Sequence, residues 1–468
     1  MEKNETHANG IGSHHCISSD TRIVLMSPTG RVIYTTASYF KRLGIGTAKL
    51  HGWKILSTDG KFTDLIKVSM WESGHINIIK ASHGMIKVTD NQIIPIYRKQ
   101  KYMEIPAKDI QKHDCLIKAS LKDIIKEENK LQEINLIDLL PVHSNVSVVG
   151  TPKLTAFMAN IIPNIPVKDK IEFLEGKRIL YINLDYYRSI RKELADVIDE
   201  NELGLVSKKR STRMKPIPAK YKLSREFGRF YGLLYSEGYV IRKYISITNT
   251  DPEIIDFSKT YLAKLLHREK VNINDHGDGF YHIRLCSVLF ASLFRNNILG
   301  SHYGSGNLKL PNWFFFANDE FLKGFLSGVI DGDGCISASD TRTRIYTSSE
   351  IFAEDIQTVC SRLGYIASVY VKRRKGKINH IEGRISITNF DSYVTAIDDL
   401  DIIDMDLYDS IKARKLKGYT RERKVIRNKV YGNRVYSIEK RNFNDCVYDF
   451  ETGDHYFTAG TQLLHDCK

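Results

Sequence analysis

The run FLKGFLSGVIDGDG at positions 321–334 constrains this chain more than any other stretch. Asn318 is placed to cap a helix, and Asp319 and Glu320 fall in its first turn, where negative charge suits the macrodipole. Gly324 and Gly328 are four apart and share one helical face. A glycine inside a helix costs about 1 kcal/mol against alanine, so the pair predicts close approach by a second helix backbone. That second helix is FGRFYGLLYSEG at 227–238. Gly324, Gly328, Asp333 and Gly334 each follow Gly228, Gly232, Glu237 and Gly238 by 96 positions. Packed side by side, the two helices bring Glu237 and Asp333 together. Neighbouring carboxylates repel unless a cation lies between them, and oxygen-only donors suit Mg²⁺ or another hard divalent cation. In a basic chain this arrangement points to phosphodiester cleavage. Either motif alone also reads as a core helix closed by a glycine; the repeat favours chemistry.

A chain of 468 residues has room for two or three domains. Its net charge of +14 favours a polyanionic partner. The seven cysteines show no CxxC spacing, which speaks against zinc and against a disulfide framework. The polar start lacks a signal-peptide apolar core, and no apolar run reaches membrane-spanning length. The expectation is a soluble, intracellular monomer in a reducing compartment, nucleus or cytoplasm, with no membrane partner.

Residues 1–15 read as a polar flank. From Cys16 to about position 119, short β-like runs (22–24, 32–35, 67–69, 76–79 and 85–88) alternate with turns and predict a compact all-β module. Leucine and isoleucine recur at helical spacing over 121–140, 142–148 reads as strand or loop, and 208–218 as a basic linker. After each acid-tipped helix the order strand, strand, helix, strand, strand recurs, so 221–419 reads as αββαββ twice. β-ribbons can enter a DNA major groove. Arg242, Lys243, Arg284, Arg342, Arg344, Lys372, Arg373, Arg374 and Lys377 lie in or beside these strands and are candidates for the DNA side, chiefly as phosphate contacts.

Residues 326–334, LSGVIDGDG, resemble the signature of the LAGLIDADG homing endonucleases. Residues 231–238 match it more loosely, with Glu237 where most members have Asp. The resemblance implies double-strand cleavage at a long DNA site, Glu237 and Asp333 each holding metal, with Lys309 in NLKLPNW near the reaction. The second basic group remains open among Lys412, Arg414, Lys415 and Lys417.

The two chain ends resemble an intein, a self-excising splicing element. Cys16 matches the first intein residue, KVTDNQ at 87–92 the internal block, Val447 to Asp449 and His455 the penultimate block, His465 the penultimate histidine and Cys467 the first downstream residue. The resemblance implies that the Cys16 thiolate attacks the His15 carbonyl and that Cys467 takes the acyl group by transthioesterification. Thr89 would hold the scissile amide and its oxyanion, Asp449 would move a proton between the thiols, and His455 and His465 would assist at the downstream bond. Two residues depart from the pattern. Gln92 stands where the family has His and can donate a hydrogen bond but not a proton; His83 lies near in sequence, outside the motif. Asp466 stands where the family usually has Asn, so a carboxylate would have to close an anhydride instead of an amide closing a succinimide. Slowed splicing is expected.

The fold class expected is multi-domain: an all-β, horseshoe-like Hint splicing domain built from both chain ends, plus an α+β pseudo-twofold LAGLIDADG domain. The divisions are a flank at 1–15, splicing halves at 16–120 and 421–466, a linker or accessory DNA-contact region at 121–220, the endonuclease at 221–420, and downstream flank residues 467–468. The flanking extein chain in cis and double-stranded DNA are the partners; splicing needs no cofactor. The alternatives are an endonuclease with a decayed splicing module, a DNA-binding protein that no longer cuts, and a splicing element with an inactive nuclease.

Overall fold

The computed structural model describes residues 15–99, 101–119, 121–122, 124–150, 171–174, 179–196, 198–207, 216–266, 271–275, 280–296, 298–300, 304–336, 343–381, 384–397 and 433–466. Cys467, Arg342, the basic run 208–215 and Lys412 to Lys417 lie outside them, as do the side chains of Arg373, Arg374 and Lys377.

Both chain ends enter one β module. The strand Asn433–Thr452 runs antiparallel to Phe62–Ala81 for nearly its whole length, from Val435 opposite Ala81 to Thr452 opposite Leu65. The runs 67–69 and 76–79 therefore belong to a single long strand. The short strand Ile17–Ser18 is inserted between Gly84–Val88 and Asn433–Thr452. Cys115–Leu116 pairs with Asn433 and Arg434 on one side and Ile96 and Tyr97 on the other. Isoleucine, valine and phenylalanine from both ends fill the core, with Ile17, Ile79, Val88, Ile94, Tyr448, Phe450 and Leu464 all buried.

Between these halves lies an α+β body. Among the described residues its longer helices are Leu184–Leu194 (α1), Arg225–Glu237 (α2), Pro252–Leu265 (α3), Val288–Arg295 (α4), Asp319–Asp333 (α5) and Glu350–Arg362 (α6). Strands Gly238–Val240, Tyr244–Asn249, Asn272–Asp275 and Tyr281–Cys286 form one four-stranded sheet; Gly334–Ile336, Thr343–Thr347, Ala367–Ile381 and Arg384–Ile397 form another in the same order. Region 121–220 differs from its sequence pattern. Among the described residues of 121–140 the helical run shrinks to one turn, Leu136–Leu139, because Glu133–Asn135 is drawn into pairing with Lys220–Lys222. The region also holds α1 and a five-stranded sheet containing Val146–Val149 and Gly204–Ser207.

Helices α2 and α5 pack in register through their glycines. A Cβ on Gly228 would strike the Phe321 carbonyl, one on Gly232 the Phe325 carbonyl, and ones on Gly324 and Gly328 the carbonyls of Arg225 and Arg229. The two backbones thus meet without side chains between them. An aromatic cluster of Phe227, Tyr231, Phe314, Phe321 and Phe325 closes round the pair and offsets the glycine cost. Gly328→Ala is expected to cost about 2 kcal/mol, because a backbone carbonyl must move; chemical denaturation followed by tryptophan fluorescence measures it.

The two units are joined by a built interface. Arg22 of the β module pairs with Asp355 of α6 at 3.0 Å, both side chains buried, and Asp355 also accepts the Leu310 N–H at 2.8 Å. Tyr34 stacks on Phe315 at 4.3 Å between ring centroids. Lys87 lies 2.8 Å from Asp20 and 4.0 Å from Glu354. Burial pushes the Glu354 carboxyl up to about 7, with Lys87 pulling against the shift. A carboxyl raised from 4.5 holds its proton more tightly when folded, so its contribution is full below pH 4.5 and lost as pH climbs through about 7. Glu354→Gln should therefore flatten the stability profile across that window, measured as denaturation midpoints against pH.

Candidate active sites

Glu237 and Asp333 are the last residues of α2 and α5. Each chain then turns directly into a strand at Gly238 or Gly334, both in extended rather than left-handed backbone. Glycine is needed there for space: a Cβ on Gly238 would strike the Leu234 carbonyl, and one on Gly334 the Ile330 carbonyl at 2.5 Å. Because the helices run parallel and in register, both acids emerge at the same end. The Glu237 side chain packs so near the α5 terminus that its Cγ lies 2.9 Å from where a Gly332 Cβ would stand. Both acids thus stand at the negative ends of two adjacent helix dipoles, a field that favours a cation.

The oxygen-only donor pair fits a hard divalent ion that completes its shell with water and phosphate oxygens. Among the described residues there is no group of three or more His, Cys, Asp or Glu able to enclose a metal within the protein alone. Asp331 plays another part: its carboxylate is buried against Arg229 at 3.2 Å. At the matching place in α2, Tyr235 donates to the Lys309 carbonyl at 2.8 Å. Burial, and then the charge of Arg22, lower the Lys309 ammonium from its ordinary value, with Asp355 opposing. Lys309 thus belongs to the Arg22–Asp355 neighbourhood.

In the first sheet Ile245, Ile247, Ile283 and Leu285 face the core, while the register aligns Tyr239, Ser246 and Arg284 across the strands. Tyr239 is 59% exposed, and Arg284 lies over the Tyr244 ring at 4.4 Å. Arg242, Lys243 and Lys372 are exposed and Arg344 is half-buried.

The second site is assembled from both chain ends. Ile17 pairs with Val88 on one side and Tyr448 on the other. Continued by one residue, this register sets Cys16 between Thr89 and Asp449. Cys16 is fully buried; its N–H donates to the Thr89 hydroxyl at 2.9 Å, and its carbonyl accepts the Thr89 N–H at 2.9 Å. Thr89 thus grips the amide N–H of the His15–Cys16 bond but directs its own N–H at Cys16. Gln92 reaches elsewhere: its Nε2 donates to the His465 carbonyl at 2.6 Å, at the downstream junction. Its Oε1 is buried without a hydrogen-bond partner among the described residues. The His83 imidazole bonds to the Ser368 hydroxyl at 3.0 Å.

At the downstream junction the Asp466 carboxylate is buried and thrice engaged. Thr452 donates its N–H at 2.5 Å and its hydroxyl at 2.9 Å, and His455 Nδ1 lies 3.2 Å away. His455 has a φ of 65°, an uncommon left-handed conformation outside glycine, and its carbonyl accepts the Asp466 N–H at 3.0 Å. His465 Nδ1 lies 2.7 Å from the Asp466 carbonyl oxygen. Thr452 was not evident from sequence, since nothing in its spacing marks a turn-crossing bond to position 466.

Residues 320–396 match the family model described as a LAGLIDADG-like domain. The chain is 30% identical over 161 residues to the DNA-directed RNA polymerase subunit Rpo1C of Methanocaldococcus jannaschii, covering 34% of this chain and 18% of that protein. It is 25% identical over 286 residues to the ATP-dependent DNA helicase Hel308 of Thermococcus kodakarensis, covering 58% and 24%. It therefore spans under a quarter of the length of either relative. Among solved structures, a variant of the homing endonuclease I-DmoI aligns with 41% of this chain and 97% of its own at 17% identity, TM-score 0.29. The transcription factor IIB Mvu mini-intein aligns with 23% and 70% at 14% identity, TM-score 0.21. Residues 320–396 thus form a LAGLIDADG-like domain, set between chain ends whose blocks resemble those of an intein.

Proposed function

We propose that the chain excises itself from a host protein by splicing through Cys16 and Cys467, and carries a divalent-metal-dependent DNA endonuclease. The observation that carries the splicing reading is the register that sets Thr89, Cys16 and Asp449 side by side from opposite chain ends. The matched relatives support it. A polymerase subunit and a helicase have unrelated tasks, yet each matches this chain over a fraction of its length. An element able to remove itself can lodge in unrelated hosts without disabling them.

The Cys16 sulfur adds to the His15 carbonyl, the C–N bond breaks, and the Cys16 nitrogen takes a proton. The Thr89 hydroxyl, accepting from that N–H, orients the amide before attack. Asp449 would take the thiol proton. The acyl group then passes to the Cys467 sulfur, and cleavage between Asp466 and Cys467 frees the product. A carboxylate at 466 held by three contacts is a weak nucleophile, so the last step is the slow one.

In the endonuclease, Glu237 and Asp333 would hold the cation, each serving one DNA strand. A bound divalent ion would supply Lewis-acid polarisation of the phosphate and an activated water. The two sheets, with Arg284 in the first and exposed Lys372 in the second, would meet the duplex. Mass spectrometry of a precursor with long flanks tests the splicing reading: branched, ligated or thiol-cleavable species support it, and an inert full-length chain rejects it. Cleavage of a plasmid carrying the uninterrupted host-gene site tests the other.

A further inference from the structure

On the splicing reading, we infer that Glu104, held by Tyr102 and Tyr456, is a positioning residue that aims the His465 imidazole at the Asp466 carbonyl and thereby sets the rate of downstream release. Glu104 comes from the strand Lys101–Pro106, remote in sequence from the junction. Tyr102 donates to its Oε1 at 2.7 Å, and the Tyr456 hydroxyl bonds the same oxygen. Burial raises both phenols above their ordinary values; Tyr456 and Glu104 add to the shift at Tyr102, while at Tyr456 Glu104 adds to it and Tyr102 opposes it. With Oε1 so occupied, Oε2 faces His465 Nε2 at 3.7 Å.

The ring is fixed on its other sides too. Tyr456 meets it edge-on at 5.0 Å, His455 lies parallel at 6.0 Å, and the Asp466 carboxylate is 3.9 Å from Nδ1. Nδ1 is thereby left 2.7 Å from the Asp466 carbonyl oxygen. A half-turn of the ring would put a carbon at that oxygen and take Nε2 from Glu104. A carboxylate that holds an imidazole in one orientation is a familiar device where the opposite nitrogen must serve a reacting carbonyl.

In the step concerned, an Asp466 carboxylate oxygen adds to its own backbone carbonyl carbon. The bond to the Cys467 nitrogen breaks, that nitrogen leaves with the electron pair and takes a proton, and water opens the anhydride. Negative charge grows on the carbonyl oxygen during addition; with one proton on Nε2 toward Glu104, the ring acts there as an imidazolium whose second proton, on Nδ1, meets that oxygen. Nothing in this geometry bears on Cys16, so the two junctions should respond differently.

The test uses the full chain with long flanks and compares Glu104→Gln, Glu104→Ala and Glu104→Asp. Glu104→Gln and Glu104→Ala should slow downstream release about tenfold, equivalent to ~1.4 kcal/mol, with thiol-induced cleavage at Cys16 unchanged. Glu104→Asp should restore part of the rate. ¹⁵N NMR of His465 should report a bonded Nδ1–H in the parent that weakens in Glu104→Gln. Unchanged release, or equal loss at both junctions, overturns the inference. If the parent cleaves at neither junction, the splicing reading fails, and the NMR signal alone decides whether Glu104 orients the ring.

Discussion

Replacing Glu237 by Gln and Asp333 by Asn in one chain should lower double-strand cleavage of a plasmid bearing the joined host site by roughly 10³-fold, since a bound cation contributes several kcal/mol to phosphoryl chemistry and each 1.4 kcal/mol is tenfold. Each single variant should leave a nicked plasmid as the main product, because each acid is assigned one strand. Both substitutions remove charge from the negative ends of two helices, so the fold should gain stability. Inactivity with a raised denaturation midpoint therefore separates loss of chemistry from loss of structure. Cleavage by the double variant at the parental rate would end the assignment.

Asp466→Asn should accelerate release of the downstream flank by roughly 10- to 100-fold. A hydrogen bond to a charged group is worth about 1.5–3 kcal/mol, and the ground state loses part of that stabilisation when the carboxylate becomes an amide. The amide nitrogen can also close a five-membered imide directly. Thr452 would still donate, now to the amide oxygen, and leave the nitrogen at the place of Oδ1, beside His455. The measurement is the appearance of free downstream peptide by mass spectrometry over time. A rate equal to that of the parent would show that some step other than closure at position 466 limits release. Gln92→His is a weaker test, because the Gln92 side chain serves the downstream junction and a change there can act on either end.

The helix pair was legible because its cause is local: glycines at a four-residue spacing, repeated at a fixed interval, state which face is bare. The meeting of Cys16 with residues near position 449 came from block order, and strand register then gave it a physical form. Other features left no such trace. The sheet in region 121–220 draws strands together across long separations, and short alternating runs look the same in a loop. Gln92 occupies the expected block yet turns to the far junction, since a side chain's direction is settled by packing. Glu104 is a surface-like acid in a charged stretch until His465 is folded against it. Lys309 carries the residue type sought near a nuclease centre, and its carbonyl accepts from Tyr235 two residues before Glu237, while Arg22 and Asp355 act on its ammonium.

The Arg22–Asp355 pair and the Tyr34–Phe315 stack bear on how such an element can shrink. A lineage that deletes the middle of the gene releases the Arg22 guanidinium to water and strips the cover from a tyrosine ring. The charge is then solvated and costs little, but the bared apolar surface of Tyr34 and its neighbours is a liability. A surviving miniature is expected to carry more polar residues on the strands Arg22–Met26 and Val32–Thr36. The passenger is kept partly by the footing it has taken in its vehicle.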